Sequence, residues 1–145
     1  MQTVEYIQKL TAIPSPTGYT QKVIQYVNET LQSFGYKPQI TAKGGLLVTV
    51  KGENDKQQRF VTAHVDTLGA MVRAIKPNGR LKIDLIGGFG YSSIEGENCL
   101  VHLSESERTI SGTILMHQTS VHVYKDARTA ERNQENMEVR LDAKV

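Results

Sequence analysis

The side chains whose types and spacing suit chemistry are His64 and Asp66, in the run Ala63-His64-Val65-Asp66-Thr67-Leu68-Gly69. In a strand, residues i and i+2 point to the same face, so the imidazole and the carboxylate project together. A carboxylate so placed accepts the spare ring N–H and fixes tautomer and orientation, leaving the second nitrogen for a metal ion. In an open α/β sheet the crevice beyond the carboxyl ends of the strands is where ligands bind, and this pair closes an apolar run. The same triplet also reads as a satisfied polar pair at a strand end, with no ligand. Context favours a site, because an imidazole ending an apolar strand is costly unless bonded and Gly69 permits close backbone approach.

Other chemistry-bearing residues are less well placed. His117 and His122 are five apart, which a strand puts on opposite faces and a helix splays, and no cysteine or acidic cluster completes a zinc set. His102 alternates with Val101 and Leu103 and reads as an outward strand position. Cys99 lies inside a strand segment with no basic neighbour to depress its pKa, so an inert, buried thiol is expected. Gly87-Gly88-Phe89-Gly90 follows a strand, but neither a helix nor a Lys-Ser/Thr pair comes after it. A barrel corner or bulge is a better account of it than a phosphate loop. Glu95 and Glu97 could pair for hydrolysis, and the sign-alternating run Lys125 to Glu138 reads as a solvated surface segment.

The elements that must position His64 and Asp66 begin with two helices. Val4, Ile7 and Leu10 recur at helical spacing after Thr3, a possible N-cap, and Pro14 and Pro16 end the run near Ala12. From about Tyr19 to Phe34, Val23, Ile24, Val27, Leu31 and Phe34 share one face, and Gly35 stands where a left-handed cap is expected. Lys37 to Ala42, Leu46 to Lys51 and Arg59 to Val65 then read as strands joined by hairpins. Phe60 to Val65 is apolar enough for burial on both faces. These features predict an α/β layer.

Beyond Thr67 only strand signals remain. Ala70 to Lys76 and Arg80 to Ile86 flank the turn Pro77-Asn78-Gly79, with Leu81, Ile83 and Leu85 alternating against Lys82 and Asp84. Asn98 to Leu103, Thr109 to Met116 and Met137 to Leu141 continue at the spacing of an all-β barrel or sandwich, with a polar loop and a helical turn at Tyr124 to Asn136. The expected division is 1–67, the α/β part, and 68–145, the β part.

Composition narrows the field of partners. The chain has 145 residues, with 17 Lys and Arg against 15 Asp and Glu for a formal charge of +2, and no basic face gathers, so nucleic acid and anionic membrane are not expected. A lone cysteine forms no intrachain disulfide, and no run approaches the roughly 20 apolar residues of a membrane span, so a soluble, cytoplasmic protein is expected.

The string Ala-His-Val-Asp-Thr-Leu-Gly-Ala-Met-Val resembles the His-x-Asp-x-x-Gly signature of the glutamyl and deblocking aminopeptidases, the tetrahedral TET enzymes. The opening Ile13-Pro14-Ser15-Pro16-Thr17-Gly18 turn is similar to that family's start. Ile86-Gly87-Gly88, Ile94-Glu95-Gly96-Glu97, Ser111-Gly112-Thr113-Ile114 and Ser120-Val121-His122-Val123 are similar to its β-rich insertion.

The resemblance implies a peptidase domain split by a β-barrel insertion that mediates dimer contacts. It implies two divalent metal ions, zinc or cobalt, peptide substrates cleaved at the free amino end, His64 as a metal ligand, and Asp66 as the carboxylate that orients it. It also implies that the other ligands and a general-base glutamate belong to a part of the family beyond Val145. A metal site takes three or more protein ligands, so the chain alone is expected to hold no ion firmly and to be inactive. An uncovered sheet edge predicts self-association into a homo-oligomer. Two further readings stay open: a non-catalytic oligomerisation or interaction module, and a fragment of a related di-zinc amidohydrolase, against which the all-β stretch after Gly69 argues.

Overall fold

The computed structural model describes residues 2–54, 56–103 and 106–143. The chain divides into two compact units, Met1–Gly69 and Ala70–Val145.

The first unit opens with helices α1, Gln2–Thr11, and α2, Gln21–Ser33. Thr3 lies inside α1, which already includes Gln2, so Thr3 is not its N-cap. Pro14 and Pro16 follow soon after its end, since proline lacks the amide a continuing helix needs. The apolar stripe of α2 turns inward at Val23, which is buried, while Gly35 adopts φ 84° just beyond the helix. That left-handed conformation is the one that favours glycine at a helix end. Tyr6 meets Phe34 edge to face at 6.2 Å, where α1 packs on the end of α2.

Strands β1, Gln39–Ile40, and β2, Leu46–Leu47, form an antiparallel hairpin of two residues each. It is shorter than the sequence predicts. The expected third strand, Arg59 to Val65, is not one: none of the described residues between 48 and 68 lies in a strand, and Phe60 and Val61 are 82% and 88% exposed. A doubly buried strand needs partners on both edges and cover on both faces, and no described strand of this unit runs beside it.

The second unit is a five-stranded sheet in the order β3-β4-β7-β6-β5. Its strands are β3, Gly69–Ile75; β4, Leu81–Ile86; β5, Asn98–His102; β6, Thr109–Met116; and β7, Met137–Leu141. A 3₁₀ turn at Tyr91–Ile94 leads into β5. Between β3 and β4, Gly79 has φ 77° and its amide bonds to the Lys76 carbonyl at 2.9 Å, closing the Pro77-Asn78-Gly79 turn. Antiparallel pairing sets Ile114 opposite Val139 and Met116 opposite Met137, and their side chains join Leu81 and Ile83 in the core. Such pairs on one face are the unit by which sheets are stabilised.

The charged run before β7 is not wholly solvated. Glu138 is 1% exposed, its carboxylate held by Lys76 Nζ at 2.6 Å and by the Arg80 guanidinium. Strand alternation puts Glu138 on the face opposite the core residues Met137 and Val139, where Lys76 and Arg80 from the β3–β4 turn cover it and offset the cost of burying the charge. Glu135 lies in a more exposed pair with Arg73 at 3.0 Å. No helix among the described residues is long and apolar enough to cross a membrane.

Candidate functional site

His64 lies in the run 59–65, outside any strand, and Asp66 directly follows that run. Although the segment is no strand, the two side chains still meet. The imidazole Nδ1 is 2.9 Å from Asp66 Oδ1, with side-chain exposures of 83% and 45%. An ionised carboxylate only accepts hydrogen bonds, so Nδ1 carries the proton and donates it, which leaves the Nε2 lone pair outward and available.

What holds this segment is a bracket that the residue pattern alone did not reveal. Ser15, fully buried between Pro14 and Pro16, donates its hydroxyl to the Val65 carbonyl at 2.9 Å. The Ser15 amide donates to Thr67 Oγ1 at 3.3 Å, and the Thr67 amide donates back to the Ser15 carbonyl at 3.0 Å. These bonds straddle Asp66 on both sides. Gly69 completes the fit, since a Cβ there would stand 2.7 Å from Pro16 Cβ. The usable signal was a polar residue between two prolines, a backbone that cannot be helical and must satisfy its groups elsewhere.

Asp66 also lines an open groove of about 730 Å³ beside α2, with Gln21, Ile24, Lys43 and Gly44 among the other residues. Among the described residues, no three His, Cys, Asp or Glu side chains come together as a metal-holding group. The donor chemistry of His64, a neutral imidazole oriented by a carboxylate, nevertheless suits one position in a metal's coordination shell.

The remaining candidates lie in the β unit. His102 is exposed on β5, His122 is exposed in the loop after β6, and His117 Nδ1 contacts the Asn136 carbonyl at 3.0 Å. Cys99 faces the core, and burial pushes its thiol pKa up, with the Asp142 charge adding to the rise. That is the opposite of what a nucleophile needs. The Glu95 carboxylate is paired with Arg132 at 2.8 Å, and the Glu97 main-chain carbonyl accepts from the Ile114 amide at 2.9 Å. The glycine cluster is a corner after β4, with Gly87 at φ 109°.

Comparison with known proteins bears on this geometry. The model of the M42 glutamyl aminopeptidase family matches residues 44–145. The chain belongs to that family. A Bacillus subtilis (strain 168) protein named as an aminopeptidase, YhfE, is 58% identical over 99% of this chain and 41% of its own length. The glutamyl aminopeptidase of Lactococcus lactis subsp. cremoris is 29% identical over 67% of this chain and 28% of its own. Among solved structures, a TET aminopeptidase from a marine-sediment thaumarchaeote superposes with a TM-score of 0.84 at 19% identity, covering 98% of this chain and 39% of that one. An aminopeptidase from Desulfurococcus kamchatkensis gives 0.83 at 23% identity, covering 98% and 38%. These two share the fold. M42 proteins are metal-dependent peptidases, and this chain spans about two fifths of the length of its Bacillus relative.

Proposed function

We propose that this M42 chain is the N-terminal portion of a metal-dependent aminopeptidase that removes residues from the free amino ends of peptides. The observation that carries this reading is the 2.9 Å His64–Asp66 pair on the family's His-x-Asp pattern. In it, residues 1–67 contribute to the peptidase domain and residues 68–145 form a β insertion through which copies associate. His64 Nε2 is one ligand in a site for two divalent ions, zinc or cobalt, and Asp66 holds the ring in its metal-binding tautomer. Such ions, when bound, supply an activated water and polarise the substrate carbonyl. The chain's own contribution is orientation: the Ser15–Thr67 bracket fixes the backbone on either side of Asp66, and Asp66 fixes the ring. A half-buried Cys99 thiol suits a reducing cytoplasm.

A catalytic ion takes about three protein ligands, and the described residues offer one in the family pattern, so the isolated chain is inactive in this reading. The test is an assay on aminoacyl-p-nitroanilides with added zinc or cobalt. It compares this chain with the same chain joined, in one polypeptide, to the part of the Bacillus relative outside the matched region. Chelator-sensitive hydrolysis by the joined form alone supports the reading. Hydrolysis by the isolated chain, or none by a folded and metal-loaded joined form, overturns it.

A further inference from the structure

We propose that Asn78 is a modification site, converted without an enzyme to aspartate and isoaspartate, and that the isoaspartyl form loosens the hold on Glu138. The chain has six asparagines, and Asn78 alone is followed by glycine. Asparagine is a thermolabile residue, because the amide nitrogen of the next residue can attack its side chain. Asn78 and Gly79 are both exposed at the tip of the β3–β4 hairpin. Gly79 adopts φ 77° with open space where a Cβ would stand, so no side chain shields its nitrogen.

The turn holds the reacting groups together. Pro77 fixes the first bend, and Asn78 Oδ1 accepts the Arg80 amide at 3.1 Å, which folds the side chain back along the chain towards Gly79. The Arg80 N–H thereby also donates to the oxygen on which charge develops as the carboxamide carbon is attacked. The Gly79 amide must first release the Lys76 carbonyl, to which it donates at 2.9 Å, and the exposed end of a hairpin opens at little cost. The Gly79 nitrogen then gives up its proton to solvent and bonds to Asn78 Cγ, the Cγ–Nδ2 bond breaks, and Nδ2 takes a proton and leaves as ammonia. Water opens the resulting succinimide at Cγ to give aspartate, or at the main-chain carbonyl carbon to give isoaspartate.

The two products differ in what they do to the sheet. In isoaspartate the chain runs through Cβ and Cγ, which adds a backbone carbon between Lys76 and Arg80. The turn is closed by the Gly79 amide on the Lys76 carbonyl and by the Lys76 amide on the Arg80 carbonyl at 2.8 Å, and a longer chain cannot keep both bonds in register. Lys76 and Arg80 are the residues whose side chains hold the Glu138 carboxylate, which is 1% exposed. Moving either one away leaves a buried charge short of a partner, the costly outcome for a buried ion pair. Aspartate keeps the backbone length and an acceptor for the Arg80 amide, so it leaves that arrangement in place.

Incubation of the folded chain at 37 °C in mildly alkaline buffer, followed by peptide mapping with mass spectrometry, tests the site. Conversion at Asn78 is expected to run at least tenfold faster than at any of the other five asparagines. Asn78→Gln, which would have to close a six-membered ring, is expected to stop it. The isoaspartyl form, separated by ion exchange, is expected to unfold at a lower temperature than the unaged chain and to exchange the Lys76 amide at least tenfold faster, whereas Asn78→Asp keeps the parental midpoint. In Glu138→Gln the loss caused by isoaspartate should shrink, because the buried charge is gone. Absence of conversion at Asn78 in the folded chain, or conversion only in urea, overturns the site. An isoaspartyl form with the parental midpoint, or with an equal loss in Glu138→Gln, overturns its link to Glu138.

Discussion

Ser15 Oγ donates a 2.9 Å hydrogen bond to the carbonyl of Val65, joining positions 50 residues apart beside the His64–Asp66 pair. Ser15 is fully buried and the bond is part-buried, so deleting its hydroxyl takes from that carbonyl the partner that the fold supplies. Ser15→Ala is expected to destabilise the first unit by about 1–2 kcal/mol. The Thr67 amide, which donates to the Ser15 carbonyl, should then exchange with solvent about tenfold faster. Exchange at the parental rate would show that the bracket does not hold the segment.

Glu138 predicts a particular acid sensitivity. Burial raises its carboxyl pKa, but hydrogen bonds from Lys76 and Arg80, with their charges, outweigh this and hold it below the usual glutamate range. A carboxylate depressed in the folded state contributes stability that is complete above the unfolded value, about 4.3. That contribution is lost as pH falls through the folded pKa. The thermal midpoint of the β unit should therefore fall between pH 5 and pH 3. Glu138→Gln should be less stable at pH 7 and flatter over the acid range, and equal acid slopes for the two proteins would refute the assignment.

Gly112 carries a steric prediction. It pairs with Leu141 across β6 and β7, and a Cβ there would lie 2.8 Å from the Arg140 carbonyl oxygen and from Val139 Cγ1. The oxygen belongs to the backbone of a paired strand and cannot rotate away. Gly112→Ala is expected to cost about 1–3 kcal/mol, read as a lowered midpoint in thermal or urea unfolding. Gly88→Ala, where a Cβ meets nothing within 4 Å, is the matched control and should change the midpoint little.

Cys99 should be sluggish towards thiol reagents. Its thiol is half-buried and its pKa raised, mainly by burial, so little thiolate is present near neutral pH. Reaction with dithiobis(nitrobenzoic acid) at pH 7.5 is expected to be at least tenfold slower in the folded chain than in urea. Equal rates would mean that the thiol is open to solvent.

The parts legible in the sequence were those whose cause is local. Alternation of Leu81 and Ile83 with Lys82 and Asp84, the turn at Gly79, and the bounds of β6 and β7 follow from a period of two and one left-handed glycine. The His64–Asp66 contact was legible for the same reason, since i and i+2 share a side in any extended backbone. Phe60 to Val65 was misjudged because apolar composition reports what a segment would do once covered, and not what covers it. Ser15 and Glu138 were missed because each depends on partners more than 50 residues away, Thr67 and Lys76 respectively, which no periodicity encodes.

The His64–Asp66 pair makes a prediction that separates orientation from folding. In the joined polypeptide, His64→Ala removes the proposed ligand and should abolish metal-dependent hydrolysis. Asp66→Asn keeps the size of the side chain, but its amide no longer holds a negative charge against Nδ1–H, and it can instead present a donor that favours the wrong tautomer. Loss of such an orienting partner lowers metal affinity about 10–100-fold. The expected signature is activity that recovers as zinc or cobalt is raised, with an unchanged unfolding midpoint in the metal-free protein. Because the pair is largely exposed, folding gains little from it, so a lowered midpoint with no dependence on metal concentration would instead make Asp66 a structural residue.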